Sequence, residues 1–189
     1  MSKRTKIIIV ISIVALAALS RLVEHPYNFT PIVAMAIFAG CYLRKKWGIL
    51  LPLGAMLISD FFIGFYDWQV MLSIYLSIAL AYGIGWVLYN RKKWYNVIFA
   101  SLISSVAFFV ITNFAVWAFF NWYAHTWEGI VLCFTLALPF FRNTLAGDLI
   151  YVGVLFGAYE LALMYLKKRE TMQNITQNNA KAEKNETNI

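Results

Sequence analysis

The sequence predicts an all-α integral membrane protein of six transmembrane helices with both termini on the cytoplasmic side. Three observations carry this. Apolar residues make up 61% of the 189 residues and charged residues only 13%, with a mean hydropathy of +0.66, against roughly 45–50% and about 25% in soluble domains. The apolar runs are long and continuous rather than alternating, which excludes a transmembrane β-barrel. The basic residues recur only in every second connection, as six crossings that begin and end inside require.

Each span follows from its run and its flanks. The first, residues 7–23, is preceded by Lys3, Arg4 and Lys6. A basic start followed by an apolar stretch up to the small residues Ala15, Ala17 and Ala18 also fits a cleaved secretory signal. The uncleaved span is preferred; cleavage would leave five spans in the same orientation. The second, 29–43, is short for a bilayer roughly 30 Å thick and is followed by Arg44, Lys45 and Lys46. The third and fourth are 47–65 and 68–89, the latter followed by Arg91, Lys92 and Lys93. The fifth is 95–120 and the sixth 144–166, followed by Lys167, Lys168 and Arg169. Between the last two, the apolar stretch 130–141 is too short to cross and contains Pro139, so it reads as an outer capping or re-entrant segment. Residues 1–169 form one membrane domain. The polar tail, 170–189, has almost nothing to bury and is expected to be disordered in the cytoplasm. The lipid bilayer is the first partner implied, with both termini on its cytoplasmic side.

The net charge of +7 orients the chain in the membrane, so nucleic acid is not an expected partner. Cys41 and Cys133 fall near opposite faces and are not expected to pair, and no Cys or His spacing suits zinc. No phosphate-binding glycine loop, His-Glu-x-x-His or Gly-x-Ser-x-Gly motif occurs. Catalysis, a metal and a cofactor are therefore not expected, and the chain cannot itself hydrolyse ATP. His25 and His125 read as solvated interfacial histidines.

At 1.5 Å per helical residue, Arg21, Asp60 and Asn113 lie roughly 21, 20 and 27 Å above the inner ends of their spans, and Asp148 lies one turn inside the outer end of the sixth. Glu24, His25, Asn28, Asp67, His125, Glu128, Arg142 and Asn143 fall in or beside the outer connections. Ionisable groups at such depths face the protein interior or a wet cavity. Two readings stay open. Arg21 pairs with Asp60 or Asp148 and staples helices together, or the same network lines a pocket open to the outside. Arg142, with the N-terminus of the sixth span capped by Asn143 or Thr144, would hold an anionic or carbonyl group. Asn113 would supply directional hydrogen bonds, and Trp117 or Trp122 would stack on a ring. The candidate substrate-binding set is thus Arg21, Asp60, Asn113, Trp117, Arg142, Asn143 and Asp148. The other reading of the tryptophans Trp68, Trp117, Trp122 and Trp127 is an interfacial belt. The small-residue pairs Ala36 and Gly40, Ala81 and Gly85, and Gly153 and Gly157 permit close helix packing, within the bundle or onto a second subunit.

Four segments, residues 21–31 (RLVEHPYNFTP), 57–60 (LISD), 111–117 (ITNFAVW) and 137–148 (ALPFFRNTLAGD), resemble an uncharacterised family of small bacterial membrane proteins described as transport proteins. That family is itself similar to the substrate-binding S components of energy-coupling factor (ECF) vitamin transporters. The resemblance implies an S-component-like six-helix bundle with an outward pocket for a vitamin or related micronutrient. It also implies a scaffold subunit driven by two cytoplasmic ATPases. The first span lacks the Ala-x-x-x-Ala pair with which such proteins dock, which leaves a solitary carrier or a different partner open. The leading expectation is uptake of a small hydrophilic micronutrient from the outer side. The rivals are a scaffold or assembly subunit whose polar cluster only fixes helix packing, and a membrane enzyme using Asp60, Asp148 or His25 as acid and base.

Overall fold

The computed structural model describes residues 2–21, 26, 28–43 and 46–186, and its described residues form helices and no strand. The order is α1 (Lys3–Ser20), α2 (Ile32–Leu43), a 3-10 turn (Lys46–Ile49) leading into α3 (Leu50–Ile63), α4 (Trp68–Leu88), α5 (Trp94–Phe119) and α6 (Trp127–Glu186). Glu24, His25, Arg44 and Lys45, named above, lie outside the described residues. Among the described residues, three stretches are long and apolar enough to cross a membrane: α4, α5 and residues 127–179 of α6. The segments 32–43 and 47–63 are apolar but shorter.

α2 is the centre. It is apolar all round, its residues from Ile32 to Cys41 are all buried, and it touches each of the other five helices. A helix without a polar face has no side to give to solvent, so its neighbours enclose it. Its closest neighbour is α4. A Cβ on Gly40 would meet the backbone of Tyr82, and one on Gly85 the backbone of Ile37. The pairs Ala36/Gly40 and Ala81/Gly85 therefore pack inside the bundle, where small residues let two backbones approach. Gly153 and Gly157 meet nothing within 4 Å.

Neighbouring contacts fix the direction of each helix. Arg21, just past α1, meets Asp60 in the last turn of α3, so α1 and α3 run the same way. Tyr42, near the end of α2, lies under Lys92, just past α4, 4.5 Å from its Nζ, so those two run together the other way. α5 and α6 form an antiparallel hairpin. Ser105 meets Asp148, Phe109 packs on Phe134 and Phe141, and the Trp117 indole donates to the Ala124 carbonyl across the turn at 3.0 Å.

Polarity is inverted relative to a soluble bundle. The interior holds Ser59, Asp60, Ser73, Ser77, Ser101, Ser104, Ser105, Thr144 and Asp148. Phe61, Phe62, Leu72, Val87 and Phe99, each at least 61% exposed, cover the outside. Apolar faces of that extent are not left open to water; with lipid as solvent they need no cover. Trp47, Trp68, Trp94, Trp122 and Trp127, at or beside helix ends, are likewise exposed, the placement of an interfacial belt.

Two expectations are corrected here. No capping segment separates the last two spans: α6 runs unbroken from Trp127 with Pro139 inside it. Apolar helices tolerate an interior proline where neighbours re-satisfy the freed carbonyl, and α5 lies along this stretch. Residues 170–186, expected to be disordered, are helical as the continuation of α6 to Glu186, built largely of Lys, Glu, Gln, Ala and Met, all good helix formers.

Candidate functional site

The site forms where α1 and α3 end and α2 begins. Gly64, at φ 112°, ends α3 and sends its N–H to the Asp60 carbonyl at 2.8 Å. That conformation suits glycine, and it fixes Asp60 one turn from the helix end. The Asp60 side chain is 1% exposed. Its Oδ1 accepts Arg21 at 3.2 and 3.3 Å, and its Oδ2 accepts the Tyr75 hydroxyl at 3.2 Å. Arg21 Nη1 also contacts Ser59 Oγ, whose own hydroxyl reaches back to the Met56 carbonyl. Arg21, at 9% side-chain exposure, is thus held by two consecutive residues of α3. Its Nε is buried without a partner.

Asp148 approaches from α6 and is 1% exposed. Ser105 Oγ stands 2.6 Å from its Oδ2 and 2.9 Å from the Ser101 carbonyl. Between the ends of α1 and α3 and the middle of α6 lies a cavity of about 150 Å³. Arg21, Asn28, Thr30, Tyr66, Thr144 and Asp148 supply its polar wall, and Met56, Ile74 and Phe108 part of its apolar one. Asn28 sits in the α1–α2 connection with φ 63°, a left-handed conformation that asparagine adopts more readily than most residues. Tyr66, in the α3–α4 connection, is half-buried, and its buried hydroxyl finds no partner at normal hydrogen-bond geometry. Burial first, then the Asp60 carboxylate, pushes this phenol above the usual tyrosine range, so it remains a neutral donor.

Of the seven candidate residues, the structure brings together Arg21, Asp60 and Asp148. It places the other four elsewhere. Arg142 is exposed; it lies about 200° round α6 from Thr144, which faces the cavity. Asn143, half-buried, does not line the cavity. Because α6 is continuous, no helix N-terminus exists at Asn143 or Thr144, and the Thr144 hydroxyl donates to the Phe140 carbonyl instead. The amide of Asn113 donates to its own helix at the Phe109 carbonyl, roughly 12 Å along α5 from Ser105. Trp117 closes the α5–α6 turn and packs edge-on to His125. Asp148 itself lies roughly 32 Å along α6 from Trp127, not one turn from the outer end. Ser59, Tyr66, Tyr75 and Ser105 carry no expectation from the sequence, and Thr144 carries one only as a helix cap. The run Ser101, Ser104 and Ser105, three hydroxyls on one face in the middle of a largely apolar helix, was the available signal.

Among the described residues no group of three or more metal-ligating side chains occurs, and Cys41 and Cys133 are both free and buried.

These features define an all-helical protein with membrane-type apolar faces and a charged cluster in its interior. Residues 1–173 match the family of unknown function DUF6580, and the chain belongs to it. No curated protein matches, and no solved structure does.

Proposed function

We propose that this is a six-span transport protein of the bacterial inner membrane that takes up a small hydrophilic solute through the Arg21–Asp148 cavity. The observation that supports it best is the convergence of charged side chains from three separate segments, Arg21, Asp60 and Asp148, beside a polar cavity. Buried charge in a membrane bundle marks a solute or ion path more often than it marks packing alone. The orientation follows from the basic residues. Lys3, Arg4 and Lys6 at the start of α1, Lys92 and Lys93 past α4, and Lys167, Lys168 and Arg169 lie toward the end opposite the cavity. The positive-inside rule puts that end and both termini in the cytoplasm and opens the cavity outward.

The resemblance to ECF S components supports the same reading and suggests a scaffold with ATPases as the energising partner. The cavity narrows the choice of solute. A volume near 150 Å³ matches a molecule of about six non-hydrogen atoms, whereas drug-sized ligands use roughly 300–1,000 Å³. A vitamin would need a wider form of this pocket, so a smaller solute is preferred.

The rival reading, a packing staple, is favoured at one half of the cluster by the close engagement of Arg21 with Asp60 and Ser59. The two readings divide between the carboxylates: Asp60 holds the helices, and Asp148 serves the solute. Native mass spectrometry of the full chain, released gently from its own membranes, tests this. A bound small molecule absent from Asp148→Asn supports transport. A bare chain that co-purifies only with other membrane subunits favours the scaffold.

A further inference from the structure

We infer that the solute carries a positively charged group, which Asp148 binds, together with an oxygen acceptor that faces Arg21 Nε; this rests on the binding role proposed above. The reasoning is a count of charges and donors. Among the described residues the cluster holds one cation, Arg21, and two carboxylates, Asp60 and Asp148. Arg21 is ion-paired to Asp60 through both terminal nitrogens and also meets Ser59. Asp148 is as deeply buried as Asp60, yet the polar group that meets it is the neutral hydroxyl of Ser105. That hydroxyl has a single proton and also lies within reach of the Ser101 carbonyl.

Among the described residues, the other polar groups that line the cavity are equally neutral: Asn28 and Thr30 before α2, Tyr66 after α3, and Thr144 on α6. A buried carboxylate without a cation is costly and must otherwise take up a proton; a cationic solute removes that cost with the carboxylate ionised. The second donor points to the rest of the molecule. Arg21 Nε is buried and unpartnered in a side chain that lines the same cavity, so it lacks an oxygen to donate to. The rings of Tyr66 and Phe108 in the wall suit an ammonium group as well. The volume limits the solute to a few atoms. Small amino alcohols and the smallest amino acids meet all three conditions. The sign is opposite to the one the sequence suggests, because Arg142, the expected anion holder, is exposed on another face.

The test uses the full chain in lipid nanodiscs at neutral pH and three probes of nearly equal size: ethanolamine, ethylene glycol and glycolate. The apparent melting temperature is followed against probe concentration. Ethanolamine is expected to raise it saturably, at a concentration about tenfold below any effect of ethylene glycol, since a charge-assisted contact replaces a neutral one. Glycolate is expected to give no rise. Asp148→Asn is expected to lose the response to ethanolamine. Should that variant fail to fold, the three-probe comparison on the unmodified chain decides alone. Stabilisation by glycolate in preference to ethanolamine overturns the sign while leaving a binding cavity in place. No response to any probe overturns the inference. If native mass spectrometry then also finds no bound molecule, the transport reading falls with it.

Discussion

Asp60→Asn separates the staple from the solute site, and its cost follows from the geometry. Asparagine keeps the shape of the side chain: its amide oxygen can still accept from Arg21, while its NH2, where Oδ2 stood, can donate to the Tyr75 hydroxyl oxygen. Little of the hydrogen-bond contribution is lost, and interhelical hydrogen bonds in membrane proteins average only about 0.6 kcal/mol. What disappears is the counter-ion of a guanidinium that is 9% exposed. Breaking a buried ion pair from one side costs about 3–5 kcal/mol, and the retained hydrogen bonds place this variant near the lower end, about 3 kcal/mol. For a chain of this length each kcal/mol shifts the midpoint by roughly 2–4 °C, so Tm should fall by roughly 6–12 °C. The fluorescence of the seven tryptophans, followed during heating in nanodiscs, measures it. Adding Arg21→Met to Asp60→Asn should recover part of the loss, because the uncompensated charge is then gone. A drop of less than about 2 °C, or a double variant whose loss equals the sum of the singles, would refute the staple.

Other outcomes follow from packing and placement. Gly85→Ala drives a methyl into the α2 backbone at Ile37 and should cost about 1–3 kcal/mol. Gly83→Ala meets nothing within 4 Å and should stabilise by up to about 1 kcal/mol through helix propensity; the same melting assay compares them. Pro139→Ala should leave the fold intact and raise thermal stability, since the residue lies inside α6; loss of the folded state would restore a chain break at that point. Arg142→Ala should bind solute like the unmodified chain in native mass spectrometry, whereas Asp148→Asn should not.

Much of the bundle could be read from the sequence because membrane helices announce themselves as uninterrupted apolar runs. The ends of α4 and α5 fall within a residue of their expected positions. The convergence of Arg21, Asp60 and Asp148 was also legible, since charge is rare enough in such segments for each instance to carry information. Pro139 was misread because proline breaks helices in water but is tolerated where a neighbouring helix covers it. That one misreading moved the start of the last helix and made Asp148 look superficial. It also gave Asn143 and Thr144 a capping role they do not have. Arg142 was placed by depth alone, without its helical face, and the angle to Thr144 puts it outside. Ser59 and Tyr75 gave no signal of their own, because serine and tyrosine are ordinary residues in membrane helices; only their neighbours on other helices make them part of the cluster, and Ser105 stands out only through its run with Ser101 and Ser104.

The central claim is that a water-accessible hollow lies beside the Arg21–Asp60 pair and opens to the outer face. Cysteine accessibility tests it most directly. In a background with Cys41 and Cys133 replaced, Thr144→Cys and Ser101→Cys are treated in right-side-out vesicles with a small aqueous ammonium methanethiosulfonate. Position 144 lines the cavity, and position 101 is buried on α5 and does not line it. Rapid modification at 144 with none at 101 is the expected result. An inert thiol at 144 in folded protein would mean a dry, closed cluster and would contradict the account.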